Sequence, residues 1–236
     1  MNPSHPLDRP VWNALASRQN ALALGDARAR RFAAEYGPFG AAADGSAASA
    51  AAVLALNPAA GGLVLVEDAG VPPPVGAAVA LQAEVHQMVA ERLTSSAAAL
   101  EAEALGAAPL GETDAPDMRA LAALTQPGPF STRTHQLGDF FGIRREGALA
   151  AMAGERMRPD GFCEVSGVCT HPDWRGHGYA GRLTRLIASR IVARGETPFL
   201  HVMATNVGAI ALYETLGFVF RRSLVMTVLA PNPVAA

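Results

Sequence analysis

The stretch THPDWRGHGYAGRL, residues 170–183, places Gly176, Gly178 and Gly181 at the spacing G-x-G-x-x-G, after an apolar run and before a helical pattern. Glycines at a helix start let main-chain amides approach an anion closely, and the helix dipole adds about half a positive charge there. Arg175 beside them supplies a fork of donors suited to phosphate oxygens. The chemistry on offer is phosphate binding. A dinucleotide fold needs this turn tight against its first strand and an acidic residue at the end of the second. Here His171 to Arg175 intervene, the next strand ends in Ala204-Thr205-Asn206, and too little chain follows for the rest of such a fold. The sequence disfavours a dinucleotide site.

Cys169, with His171 and His177 close in sequence, raises nucleophilic catalysis. Neighbouring strand residues point to opposite faces, however, and no Asn or Asp is placed to orient either histidine, so a buried structural cysteine is the stronger reading. His171 and His177 are six apart across a glycine turn with no companion ligands, and no metal site is expected. All 19 basic residues are arginine. That excludes a P-loop lysine, a pyridoxal Schiff base and any lysine nucleophile. Cys163 and Cys169 sit in one apparent strand, about 20 Å apart at ~3.3 Å per residue, and cannot pair with each other. A reducing cytoplasm fits.

These residues need elements to hold them. Asp114 reads as the N-cap of a helix over PDMRALAALT that QPGPF stops. FFGIRREGALAAMAGERM predicts two strands around a turn at Arg145-Glu146-Gly147, and FCEVSGVCT a strand buried on both faces. Leu183, Ile187 and Ile191 fall at helical spacing in the segment after the glycines, which Gly195 ends. PFLHVMAT is the next strand, NVGAIALYETLG a short helix, and FVFRRSLVMTVL one or two closing strands. The fold class is α/β, a mixed sheet with helices on both faces.

Half the residues are hydrophobic and 17% are charged, an ordinary globular composition. No basic-then-apolar leader opens the sequence and no apolar run is long enough to span a membrane. Residues 1–112 carry 6 arginines against 11 acids, and residues 113–236 carry 13 against 10. The near-neutral balance and 6% aromatics disfavour nucleic acid as a partner. Between the halves runs TSSAAALEAEALGAAPLGETD, read as a helix and a connector, with a boundary near Gly111. The first half is expected to hold helices at PVWNALASRQNALAL and AASAAAVLAL and strands at GLVLVE and GAAVALQAEV.

Arg175, Gly178 and Ala180 in RGHGYA match the loop Q/R-x-x-G-x-G/A of the GNAT superfamily of acyl-CoA-dependent N-acetyltransferases. The strand exit VCTHPDW and the helix NVGAIALYETLGF, about 30 residues on, also resemble that family, over roughly residues 113–230. The resemblance implies a GNAT-like fold in residues 113–236. Some members carry a second, degenerate copy, which is one reading of residues 1–112 as a companion domain. It further implies acetyl-CoA as co-substrate, with its pyrophosphate on the amides of Arg175, Gly176, His177, Gly178, Tyr179 and Ala180. Its pantetheine arm would lie along main-chain groups of Val168, Cys169 and Thr170 and beside Asn206, and Tyr213 would serve as general acid. Asn206, Ile210 and Tyr213, at i, i+4 and i+7, share one helical face.

Transfer to an amine requires removal of a proton from an ammonium, an oxyanion hole and a proton for the departing thiolate. The resemblance implies Glu164 as the base, since some family members place a catalytic glutamate on this strand, and strand alternation puts it on one face with Ser166, Val168 and Thr170; Glu155, His135 and His201 compete. The expected reaction is direct attack by a primary amine in a ternary complex. Its acceptor is a small molecule or peptide: an amino acid, a peptide N-terminus, a polyamine or an antibiotic. A Cys169-dependent ping-pong route and a non-catalytic acyl-CoA sensor are the alternatives.

Overall fold

The structure, a computed structural model, describes residues 5–90, 93, 102 and 104–231. The helix expected from Thr94 onward falls largely outside the described residues.

The chain opens with α1 (Pro10–Ala16), shorter than expected. Gln19 leaves the helical path because its side-chain amide is used elsewhere: Nε2 donates to the Arg156 carbonyl at 2.7 Å, and Oε1 accepts from the Arg158 amide at 3.0 Å. Three short strands absent from the sequence reading follow, β1 (Ala23–Gly25), β2 (Ala29–Phe32) and β3 (Gly40–Ala42), in a small antiparallel sheet. Helix α2 (Ala47–Leu56) starts at Ser46, whose Oγ accepts from the Ser49 amide. Strands β4 (Leu63–Glu67) and β5 (Val79–Ala90) come next, then β6 (Ala107–Leu110), which lies in the expected connector. Helix α3 (Ala115–Thr125) precedes β7 (Phe140–Arg145) and β8 (Ala148–Glu155), the predicted hairpin. Its turn puts Glu146 and Gly147 at positive φ, as a two-residue loop between right-twisted strands requires. Then come β9 (Phe162–Thr170), α4 (Tyr179–Ala193), β10 (Thr197–Met203), α5 (Val207–Thr215) and β11 (Phe218–Leu229), a single strand bulged at Arg221.

The main sheet has eight strands in the order β4-β11-β5-β10-β9-β8-β7-β6. The boundary expected near Gly111 runs through this sheet. β5 lies hydrogen-bonded between β10 and β11, and β6 pairs with β7. Residues 1–112 therefore supply three strands of the main sheet in addition to their own small one. Among the described strand pairs of this sheet, β9 with β10 is the parallel one.

Each face carries a core. On one, Leu183, Leu186, Ile187 and Ile191 of α4 cover Phe141, Ile143, Cys163 and Val165. Burying each such side chain contributes ~1.5–3 kcal/mol. On the other, Met118 and Leu121 of α3 pack on Phe140, Met152 and Cys169, while Leu7, Val11 and Leu15 pack on Val85, Val89, Phe199 and Leu224.

Candidate active site

β9 and β10 pair over three residues each, Thr197 with Phe162 through Phe199 with Glu164. Past that point β9 bulges: Gly154 faces Ser166 but Met152 faces Cys169, and the extra residue includes Gly167 at φ 63°. A bulge bends its strand and breaks pairing. A cavity of about 740 Å³ opens here. Val168, Cys169 and Thr170 line it from β9, Asn206, Leu212 and Tyr213 from the α5 segment, and Thr125 and Gln126 from the end of α3.

The glycine loop forms its third wall. Gly176 and Gly178 have φ of 83° and 73°, conformations that residues with a Cβ rarely adopt. Gly178 is the N-cap of α4, and no side chain caps that end. The first amides of a 15-residue helix are left without intrahelical partners beside the cavity. A Cβ on Gly178 would sit 2.5 Å from Nη1 of Arg182, which donates to the His177 carbonyl at 3.0 Å. Arg175, Arg182 and Arg185 all line the cavity, and its described lining holds no carboxylate. This wall is positively charged. Arg182 and Arg185 were missed in the sequence, although they follow Gly178 at i+4 and i+7, the spacing that puts them on its side of α4.

Of the residues expected to meet the coenzyme, Val168, Cys169, Thr170, Arg175, Gly176, Gly178, Tyr179, Ala180 and Asn206 line the cavity. His177 does not. Its ring stacks on Tyr179 with centroids 5.5 Å apart. Asn206 uses its side-chain oxygen to cap α5 through the Ala209 amide at 3.1 Å. The buried Thr170 hydroxyl has no partner and lines the cavity. With an orphaned hydroxyl on one wall and helix amides and three arginines on the other, the residues present fit a long ligand carrying phosphates.

Tyr213 lines the same space, its ring 6.0 Å from that of Phe218. Burial, with Cys169 nearby, pushes its phenol up to about 12. Cys169 is buried among Phe140, Met118 and Met152, and burial pushes its thiol up to about 11. Among the described lining residues there is no histidine to activate it. It packs as a thiol.

Glu164 is a correction. The bulge at Gly167 ends the alternation that was expected to align it with Val168. Val168 joins Cys163 and Val165 under α4, while Cys169 turns to α3. Glu164, fully buried on the other face from Val168, lies outside the cavity. Burial alone would raise its pKa, but Arg156 and His201 overcome this and hold the carboxyl at about 2. The competing bases are engaged as well. Glu155 accepts from Arg194 at 2.6 Å, His201 meets Glu164 at 2.8 Å, and His135 meets Glu112 at 2.8 Å.

The model of the FR47-like protein family matches residues 140–225, from β7 into β11. A crystal structure of a GNAT-family protein from Novosphingobium aromaticivorans is 46% identical, covering 97% of this chain and 100% of its own, with a TM-score of 0.88. This chain belongs to the GNAT family. A GCN5-related N-acetyltransferase-like protein from Streptococcus suis, 16% identical over 66% of this chain and 64% of its own at a TM-score of 0.50, shares the GNAT fold. No curated protein matches the chain at a significant level. Membership makes the arginine-lined cavity of this GNAT chain the place to look for acyl transfer.

Proposed function

We propose that this protein is a cytoplasmic N-acetyltransferase that moves an acetyl group from acetyl-CoA to a primary amine by direct attack in a ternary complex. The observation that carries the reading is one cavity with orphaned helix amides and Arg175 at one wall and the Tyr213 phenol at another. The coenzyme supplies an activated thioester carbonyl. The amides of residues 176–180 and the guanidinium of Arg175 hold the phosphates. Main-chain groups of Val168 to Thr170 orient the arm, and the Asn206 side chain flanks it. Tyr213, protonated throughout the neutral range, would give its proton to the departing sulfur and regain one, through water, from the nitrogen as it becomes an amide. Cys169, a thiol at neutral pH, takes no acyl group. Among the described lining residues none is a carboxylate or histidine, so the acceptor reaches the site as a free amine or yields its proton to water.

The described helices include none long and apolar enough to cross a membrane. The acceptor is an amino acid, a peptide N-terminus, a polyamine or a related small amine. Incubation with labelled acetyl-CoA and a panel of such amines tests the reading. Free thiol released only when amine is present supports it. Coenzyme binding without turnover on any amine makes the protein a sensor instead.

A further inference from the structure

A second cavity, of about 260 Å³, lies under α2 at the β4 edge of the main sheet. Four strand spacings of ~4.8 Å separate β4 from β9, so it stands roughly 19 Å across the sheet from the first cavity. Its floor is two cross-strand pairs, Leu65 with Thr227 and Glu67 with Val225. The α2 side is lined largely by alanine, too short to fill the space, and one end is closed by Pro72-Pro73-Pro74. Prolines hold φ fixed, so that wall resists collapse onto the floor.

Glu67 is the charged group of this floor, its side chain 13% exposed, and the floor's other polar group, the Thr227 hydroxyl, already accepts from Gln82 at 3.1 Å. Its nearest cation is Arg9, with Nε 3.6 Å away, and both Nη atoms of Arg9 are committed to the carbonyls of Ala42 and Ala43. Burial raises the Glu67 carboxyl, Arg9 opposes that, and Asp68, itself held by Arg222, adds to it. At the rim, Asp44 is kept ionised by the amide and hydroxyl of Ser46. Two acids against one arginine leave the cavity negative, and a small concave apolar space with a few convergent polar groups is the form of a ligand site.

We propose that this cavity binds a small apolar amine, its hydrocarbon against Leu65, Val225 and the α2 alanines and its ammonium on Glu67. The ligand class follows from charge complementarity: a neutral hydrocarbon leaves Glu67 half-paired, and an anion meets two carboxylates.

Calorimetry of the full chain at neutral pH with cyclohexylamine, protonated there, and its uncharged counterpart cyclohexanol tests this. One saturable site for the amine is expected, with cyclohexanol at least about tenfold weaker, the scale of one charge-assisted hydrogen bond. Glu67→Gln should weaken the amine about tenfold and leave cyclohexanol unchanged. Ala50→Phe should block both, while acetyl-CoA binding persists in each variant. Amide shifts should map to β4 and β11. Absence of saturable amine binding, equal affinity for amine and alcohol, an undiminished affinity in Glu67→Gln, or shifts confined to Asn206 and Tyr213 would each overturn the assignment. Failure of the acetyl-CoA arm alone would instead strike the proposed function.

Discussion

Arg156 grips Glu164 with two hydrogen bonds, Nε to Oε2 at 2.9 Å and Nη2 to Oε1 at 2.7 Å, in a fully buried site. The pair is structural. Arg156→Met takes the guanidinium from a buried carboxylate, leaving it only His201 and the Met157 amide, and should cost ~3–5 kcal/mol, read by denaturant unfolding. Glu164→Gln should lower stability while changing kcat per folded molecule only slightly. A drop of about 10² or more in a folded variant would restore Glu164 as the base.

The same pair sets an acid window. The folded carboxyl titrates at about 2 and the unfolded one at its ordinary 4.5. Above the unfolded value both states are ionised and the stabilisation is complete. As pH falls from there the unfolded chain takes up a proton first, so stability drains down to the folded value. Thermal melts between pH 5 and pH 2, expressed as about 1.4 kcal/mol per proton and pH unit, should show this slope, and Glu164→Gln should flatten it.

Gly178→Asp places a carboxylate among the α4 amides and a Cβ against Arg182. Coenzyme binding should vanish by calorimetry while circular dichroism stays native. The strain of a left-handed non-glycine residue costs about 1–2 kcal/mol, small against the ~5–15 kcal/mol typical of a folded domain. Unchanged affinity in a folded variant would remove the phosphate cradle.

Tyr213→Phe and Cys169→Ala separate two mechanisms at one cavity. Loss of the phenol should lower kcat by roughly 10² to 10⁴ with coenzyme affinity little changed. Loss of the thiol should cost packing alone, at most about 1–2 kcal/mol. Since the chain has no lysine, intact-mass spectrometry with acetyl-CoA and no amine meets no side-chain amine to acetylate. An acetyl adduct mapped to Cys169 that turns over on adding amine would overturn direct transfer.

A fragment of residues 113–236 lacks β5 and so loses the strand between β10 and β11. It should fail to give a cooperative unfolding transition on its own. A stable, fully active fragment would show that β5 is dispensable to the sheet.

The C-terminal elements were legible because their signals are local. Helical spacing marked α4, a two-residue turn marked the β7–β8 hairpin, and the glycine loop announced its own helix. What failed depended on long-range partners. Alternation placed Glu164 with Val168 because nothing nearby marks Gly167 as a bulge rather than an ordinary strand residue. The domain boundary followed an alanine-rich texture, while pairing between β5 and β11 joins residues over a hundred positions apart. Short strands such as β1–β3 and β6 carry too few residues to show a period.

That pairing also orders events in time. β5 cannot gain β11 until residues 218–229 have left the ribosome, so a large part of the chain is synthesised before the sheet can close. Contacts of such sequence separation slow folding, since loop closure precedes any reward from pairing. Meanwhile β5, with Val79 and Leu81 on an apolar strand, is an open edge of the kind that aggregates or recruits holdases. A delay in synthesis at any point between the emergence of β5 and that of residues 218–229 should therefore lower the soluble yield.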